Sequence, residues 1–489
     1  MTPGLVISVI GGYFLLLILI SYFTSRNADT QSFFNANKQS PWYLVAFGMI
    51  GASLSGVTFI SIPGEVGNTQ FAYFQLVLGY LLGYIVIIYV LLPLYYKMNL
   101  ITIYTYLNKR FGFWSYKTGA SFFLLSRLIG ASFRLFLVAV VLQVFLFDAW
   151  GTPFEITVLV TIALIWIYTF KGGIKTIVWT DTLQTLFMLS AVVITIFHIG
   201  KNLDLSLNGL VDVVADSSYS TIFVWDWKLE MNFFKQFFAG MFITISMTGL
   251  DQDMMQKNLT CRSLKDAQKN MLWFSIVLIG VNLLFLSLGA LMYIYANTNG
   301  IPIPADTDEL YPMLARNHFS LATGFVFLLG IIAAAYSSAD SALTALTTSF
   351  CVDILGFEKK PEAEKKRTRI MVHIAMSIAM LGVILVFRAI NDESVISSLF
   401  TIAGYTYGPL LGLFAFGLSN RLQLRDVWVV PVCLLAPVLS YIFSLNSEEW
   451  FSGYKVGFEI LLINGGLTYL GLLLISRWDE PRFSEKLYH

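Results

Sequence analysis

Thirteen stretches of this chain are apolar enough, or nearly so, to meet the requirement of about 20 mainly apolar residues for crossing a bilayer. They fall at roughly 4–24, 42–63, 71–96, 117–147, 155–171, 178–199, 233–250, 270–296, 320–350, 369–389, 395–418, 427–444 and 457–476. The pattern predicts helices, because a spanning segment must satisfy its own backbone hydrogen bonds. The connecting loops are short. The longest cover 200–232, 296–319 and 351–368, and none is large enough to hold a soluble domain. The first stretch lacks a basic start and a small-residue cleavage site, so it reads as a span rather than a secretory signal.

Basic residues orient the spans. With the N-terminus outside, about 23 of the 31 Lys and Arg lie in inside loops and about 6 in outside loops. The outside ones are Lys201, Lys228, Lys235, Arg316, Arg388 and Lys455. Arg127 and Arg134 fall inside a span. The expectation is an all-α polytopic membrane protein with about 13 transmembrane helices, N-terminus outside and C-terminus inside. The charge run 357–369 reads as a solvated loop.

Composition agrees. Hydrophobic residues make up 57% of the 489 positions and charged residues only 12%, about half the charged share of a soluble domain. That excludes a disordered chain and an ordinary soluble enzyme. With 31 basic against 30 acidic residues, nothing steers a nucleic acid here. The three cysteines and four histidines are scattered, without metal or redox spacing. Nucleotide-binding and hydrolase signatures are absent. The chain does not read as an enzyme.

The informative positions are the polar residues inside the spans. Segment 42–63 carries GASLSG (Gly51 to Gly56), then Thr58 and Ser61. Segment 233–250 carries Gly240, Thr244, Ser246, Thr248 and Gly249. Paired interrupted helices in corresponding halves point to a transporter built from inverted repeats, and unwound backbone can coordinate a cation or an anionic solute. The alternative is close helix packing through small residues. Asp181, Gln184 and Thr185 share one helix face, as do Ser337, Asp340, Ser341 and Thr344. Two carboxylates among hydroxyls suit a hard monovalent cation. Structural hydrogen bonding and a proton site are the alternatives. Arg127 and Arg134, seven apart, share a face with Gly130. They suit a substrate anion, or pair with Asp340 or Asp181.

These residues resemble the sodium/solute symporter family, including its bacterial sialic acid and sodium/sugar members. The resemblance runs from SFFNANKQSPWYLVAFGMIGASLSGVTFISIP to the last core helix. It is most specific in YTFKGGIKTIVWTDTLQT (168–185), DQDMMQKNLTCRSLKDAQK (251–269) and AAAYSSADSALTALTTSFCVDI (333–354). It implies a LeuT-type core of five plus five inverted helices, with repeats at 40–200 and 230–420. A leading helix at 1–30 would precede them, and two extra helices and a short tail at 421–489 would follow. It also implies sodium held by the Gly51, Leu54 and Ala334 carbonyls with the Ser337 and Ser338 hydroxyls. A second sodium would sit on Asp181, Ser337 and Ser341, with Asp340 beside them. Substrate would lie at Ser53, Ser55 and Thr58, under an outer gate around Tyr73 and Phe74, with Gln75 and Arg134 nearby. Against the sialic acid members there are two departures. A serine stands at the position of Asp340, and the carboxylate-binding arginine falls at Gly130. Sialic acid itself is therefore not supported, while an acidic solute stays open.

The expected function is sodium-coupled import of a small organic solute across a bacterial inner membrane by alternating access. The rivals are a proton-coupled transporter using Asp340 and a transporter-like solute sensor.

Overall fold

The computed structural model describes residues 3–25, 36–169, 173–357, 361–390 and 395–478. Phe170 to Gly172 of the 168–185 motif, Glu358 to Lys360 of the charge run, Ser32 to Asn35 and the tail from Asp479 lie outside the described residues. The described chain is almost wholly helical. Each expected apolar stretch coincides with a helix or a bent helix pair. By length and composition, nine described helices suffice to cross a membrane, or eleven if each of two bent pairs forms one span. Phe154–Thr169 and Ile460–Leu474, expected as spans, are shorter apolar helices.

The elements that position the site are, in chain order, α1 (Pro3–Ser25), α2 (Trp42–Ser53), α3 (Gly56–Thr69), α4 (Tyr73–Lys97), α5 (Thr105–Arg110) and α6 (Phe113–Trp150). Then follow α7 (Phe154–Thr169), α8 (Ile174–Asn202), α9 (Leu207–Ala215), α10 (Phe233–Gly249) and α11 (Gln252–Asn258). The rest are α12 (Leu264–Thr298), α13 (Leu310–Asn317), α14 (Leu321–Ile354), α15 (Glu362–Ile390), α16 (Val395–Ser419), α17 (Val429–Trp450) and α18 (Ile460–Leu474). Two of these helices are bent pairs: α2/α3 bends by 55° and α10/α11 by 67°.

The first bend falls where serine and glycine weaken the helix. Leu54 turns out of it (ψ 67°) and Ser55 is extended before α3 restarts at Gly56. The second bend is not where the glycine pattern put it. Helix α10 runs unbroken through Gly240 and widens into a π-turn over Ile245–Gly249; the break comes at Leu250 and Asp251. The span expected to end at 250 thus continues as the polar half-helix α11. Asp251 caps that helix, accepting from the N–H groups of Asp253 and Met254 at 2.8 and 3.3 Å. Tyr95 and Tyr104 donate to the Gly249 and Leu250 carbonyls at 2.8 and 2.9 Å. Backbone freed by the break is thereby satisfied by protein, as an apolar surrounding requires.

Gly240 is a packing residue. Helices α4 and α10 approach so closely that a Cβ on Gly240 would sit 2.0 Å from the Leu76 carbonyl oxygen. A Cβ on Gly79 would sit 1.9 Å from that of Phe237. Close approach through small residues is how membrane helices gain packing energy. Gly79→Ala or Gly240→Ala must push two backbones apart. Overpacking of this kind costs about 1–3 kcal/mol, so either variant is expected to melt well below the parent in detergent, with Gly130→Ala, where a Cβ meets open space, melting near it.

A turn at Thr307–Glu309, in the loop between α12 and α13, docks on α3 and α16. Its Thr307 hydroxyl donates to Glu65 at 3.1 Å, and Asp308 accepts from the Val395 N–H at the start of α16 at 3.1 Å. Burial pushes the Asp308 carboxyl up to about 6 from an ordinary 3.8. A raised acid pKa means that docking is strongest below the undocked value and weakens as pH rises through about 4 to 6. The difference is roughly 3 kcal/mol. Hydrogen exchange over 303–310 is expected to be slower at pH 5 than at pH 7.5 after correction for intrinsic rates. In Asp308→Asn that difference is expected to vanish.

Candidate functional site

Three elements converge at the first bend. Ser338 on α14 donates its hydroxyl to the Ala52 carbonyl at 3.1 Å, tying α14 to the end of α2. Gly51 lies against α8: its N–H donates to Thr185 Oγ1 at 3.0 Å, and a Cβ there would come within 2.3 Å of that oxygen. Leu54 is the residue at which α2 stops, and Ala334 lies one turn before Ser338. All are buried. Gly51, Leu54, Ala334 and Ser338 therefore lie on the two elements that meet here. Helix-end carbonyls beside hydroxyls suit a hard monovalent cation.

Ser337 turns the other way. Its hydroxyl donates to Asp181 Oδ1 at 2.7 Å. The other Asp181 oxygen faces the Lys257 ammonium at 2.7 Å. Asp340 accepts from the Tyr168 hydroxyl at 2.8 Å, and its Oδ1 has no hydrogen-bond partner. Asp181, Asp340 and Lys257 are 0, 0 and 1% exposed, so this charged cluster is sealed from solvent. Ser341, expected beside Asp181, instead donates to Asp253.

Asp253 also takes the Arg127 guanidinium, which lies 3.7 Å from Asp251. Tyr407 on α16 donates to Asp251. The arginine pairing therefore differs from both alternatives in the sequence: Arg127 is spent on α11, and no arginine reaches Asp181 or Asp340 among the described residues. Arg134 is left over. It is 8% exposed, its Nε makes no hydrogen bond, and it has no ion-pair partner among the described residues.

Arg134 lines a cavity of about 710 Å³ between the two bends. Ser53, Ser55, Thr58 and Tyr73, all expected as substrate contacts, line it too. Tyr73 bonds Tyr80 hydroxyl to hydroxyl at 3.1 Å, and a second cavity of about 420 Å³ adjoins the first across Tyr73, Ile396 and Phe400. Glu65 and Thr69 at the far end of α3 line that second cavity, so Tyr73 lies between the two cavities. Phe74 and Gln75 line neither cavity. Phe74 is packed against the core. Gln75 is a staple, donating to the Ala72 and Met231 carbonyls and accepting from the Val224 N–H.

Sequence reasoning missed Tyr80, Tyr84, Thr244, Thr248 and Asn282 as lining residues. The tyrosines were findable, since 73, 80 and 84 repeat at helical spacing. It also missed Asp251, Asp253 and Lys257, because their segment was read as lying beyond the membrane.

Two bent helices framing a buried polar cavity are the architecture of a secondary transporter. Residues 33–420 match the sodium:solute symporter family, and the chain belongs to it. It is a sodium-coupled, multi-pass plasma-membrane symporter of a small organic solute, and not an enzyme. The chain is 25% identical to the sodium/sialic acid symporter NanT of Aliivibrio fischeri, over 91% of this chain and 89% of that one. It is 23% identical to the sodium/sialic acid symporter SiaT of Proteus mirabilis, over 94% of each. In fold it is similar to a sodium-coupled sialic acid symporter solved in a substrate-bound outward-open state. That match has a TM-score of 0.81 and 20% identity, and covers 96% of this chain and 98% of the other.

A ligand at 100 times its dissociation constant adds about 2.7 kcal/mol of stability. Sodium, but not choline, is therefore expected to raise the melting temperature of the purified protein. On the expectation that Ser338 is one of the oxygen ligands, Ser338→Ala should need about tenfold more sodium for the same shift, a change of about 1.4 kcal/mol.

Proposed function

We propose that the solute is a small organic anion and that Arg134 binds its acidic group. The observation that carries this reading is the unpaired, buried guanidinium facing the cavity. Burying a charge without a partner is costly, so the site is built for a counter-charge. Arginine offers a planar fork matched to a carboxylate. Ser53, Ser55, Thr58 and Asn282 supply hydroxyl and amide partners for a polyhydroxylated or amide-bearing remainder. The acidic substrates named for the NanT and SiaT relatives support the same class.

In this reading one sodium binds at the end of α2 through the Gly51, Leu54 and Ala334 carbonyls and Ser338. A second cation balances Asp340 beside Asp181 and Ser337. Residues 40–200 and 230–420 are the two inverted halves, with the N-terminus outside. Sodium from outside joins α2 to α14 and organises the cavity for the solute. Its loss to the cytoplasm separates them and releases the solute. One charge moving through 100 mV supplies about 2.3 kcal/mol, before any concentration gradient. The unpartnered Asp340 oxygen favours one second reading, in which a proton is the second cation.

Sodium-driven uptake of a panel of sugar acids and carboxylates in proteoliposomes tests the substrate class. A charged hydrogen bond is worth about 1.5–3 kcal/mol, so Arg134→Gln is expected to weaken the transported acid by roughly ten- to a hundredfold. Neutral solutes carried equally well by parent and variant would remove Arg134 from the site.

A further inference from the structure

The buried cluster on α8, α11 and α14 holds two carboxylates and one ammonium. Asp181 and Asp340 are each 0% exposed and Lys257 1%. Asp181 and Lys257 both act electrostatically on Asp340. Among the described residues no other lysine or arginine pairs with either carboxylate. The cluster is therefore short of one positive charge.

Lys257 stands where a cation would have to stand. Its Nζ lies 2.7 Å from Asp181 Oδ2, while Ser337 supplies the other Asp181 oxygen with a hydroxyl. Yet the ammonium makes no well-directed hydrogen bond. It is held by charge, at the end of a flexible stem, and behaves as a point charge. It projects from α11, the seven-residue half-helix after the second bend.

We infer that Lys257 is a tethered cation that substitutes for one sodium ion on Asp181 and so sets how many sodium ions the chain binds. The inference rests on the sodium symport reading but does not depend on the absolute number of ions. With Lys257 in place the cluster needs one more monovalent cation. Without its charge the cluster needs two.

The test is sodium stoichiometry in the full-length purified protein, by equilibrium binding of radioactive sodium and by the Hill slope of sodium-dependent thermal stabilisation. Lys257→Met is expected to bind one sodium more than the parent, with the slope raised by about one. Lys257→Arg keeps the charge and is expected to match the parent. An unchanged or lower count in Lys257→Met overturns the inference, including the case in which a proton fills the place. Should Lys257→Met not fold, the double variant Lys257→Met/Asp181→Asn decides, since it removes the ion pair as a unit. It is expected to bind as many sodium ions as the parent, whereas one fewer would make Asp181 an ordinary sodium ligand and overturn the inference. A parent that binds no sodium at all would instead sink sodium coupling itself.

Discussion

The architecture depends on one constraint: inside a bilayer no backbone N–H or C=O can be left without a partner. A helix that stops halfway across exposes several such groups. This chain stops two helices midway and provides for both. Ser338 serves the Ala52 carbonyl. Tyr95 and Tyr104 serve Gly249 and Leu250, and Asp251 takes the N–H groups that open α11. The same groups that make the breaks tolerable tie α14, α4 and the loop before α5 to them. Site and scaffold are thus made by one set of bonds, and a cation between α2 and α14 competes with no lipid for its ligands.

Charge follows the same logic one level up. The buried ion pairs near the two bends divide into two groups. Arg127 is matched by Asp251 and Asp253, and Tyr407 and Ser341 add hydroxyl donors to those carboxylates. Lys257, Asp181 and Asp340 form the other group. Among the described residues, Arg134 has no ion-pair partner and one Asp340 oxygen has no hydrogen-bond partner. One faces the solute cavity and the other the buried cluster. The unmatched groups thus have opposite sign and lie in separate places, an arrangement suited to an anion and a cation carried together.

Much of this was legible in the sequence. Apolar length located each helix long enough to cross a membrane and the first half of the second bent pair, because lipid demands it, while the short helices α5, α9 and α13 fell in expected loops. The break at GASLSG was legible because two glycines and two serines coincide there. The second break was not. Its cause is an aspartate cap at Asp251 rather than a glycine, and Gly240 drew attention for a helix-packing reason instead. The half-helix carrying Asp251, Asp253 and Lys257 looked like a loop since hydropathy measures fitness for lipid, and this segment is wrapped entirely in protein. Ser341 sat on the right face of α14, but one face of a long helix meets two neighbours, and spacing cannot say which hydroxyl meets which. Gln75 was next to the gate in sequence yet served a loop, for the same reason. Pairing in three dimensions is what periodicity does not encode.

The seam between α4 and α10 has a mechanical meaning. Side chains can flex when two helices shear past each other, but at Gly79 and Gly240 backbone meets backbone, and there is no slack to take up. Helices α4 and α10 are therefore riveted to each other at this point. Any movement of one must carry the other with it, as a single body. A protein with freer packing there would spread the same strain over many soft contacts and lose the definition of its stroke.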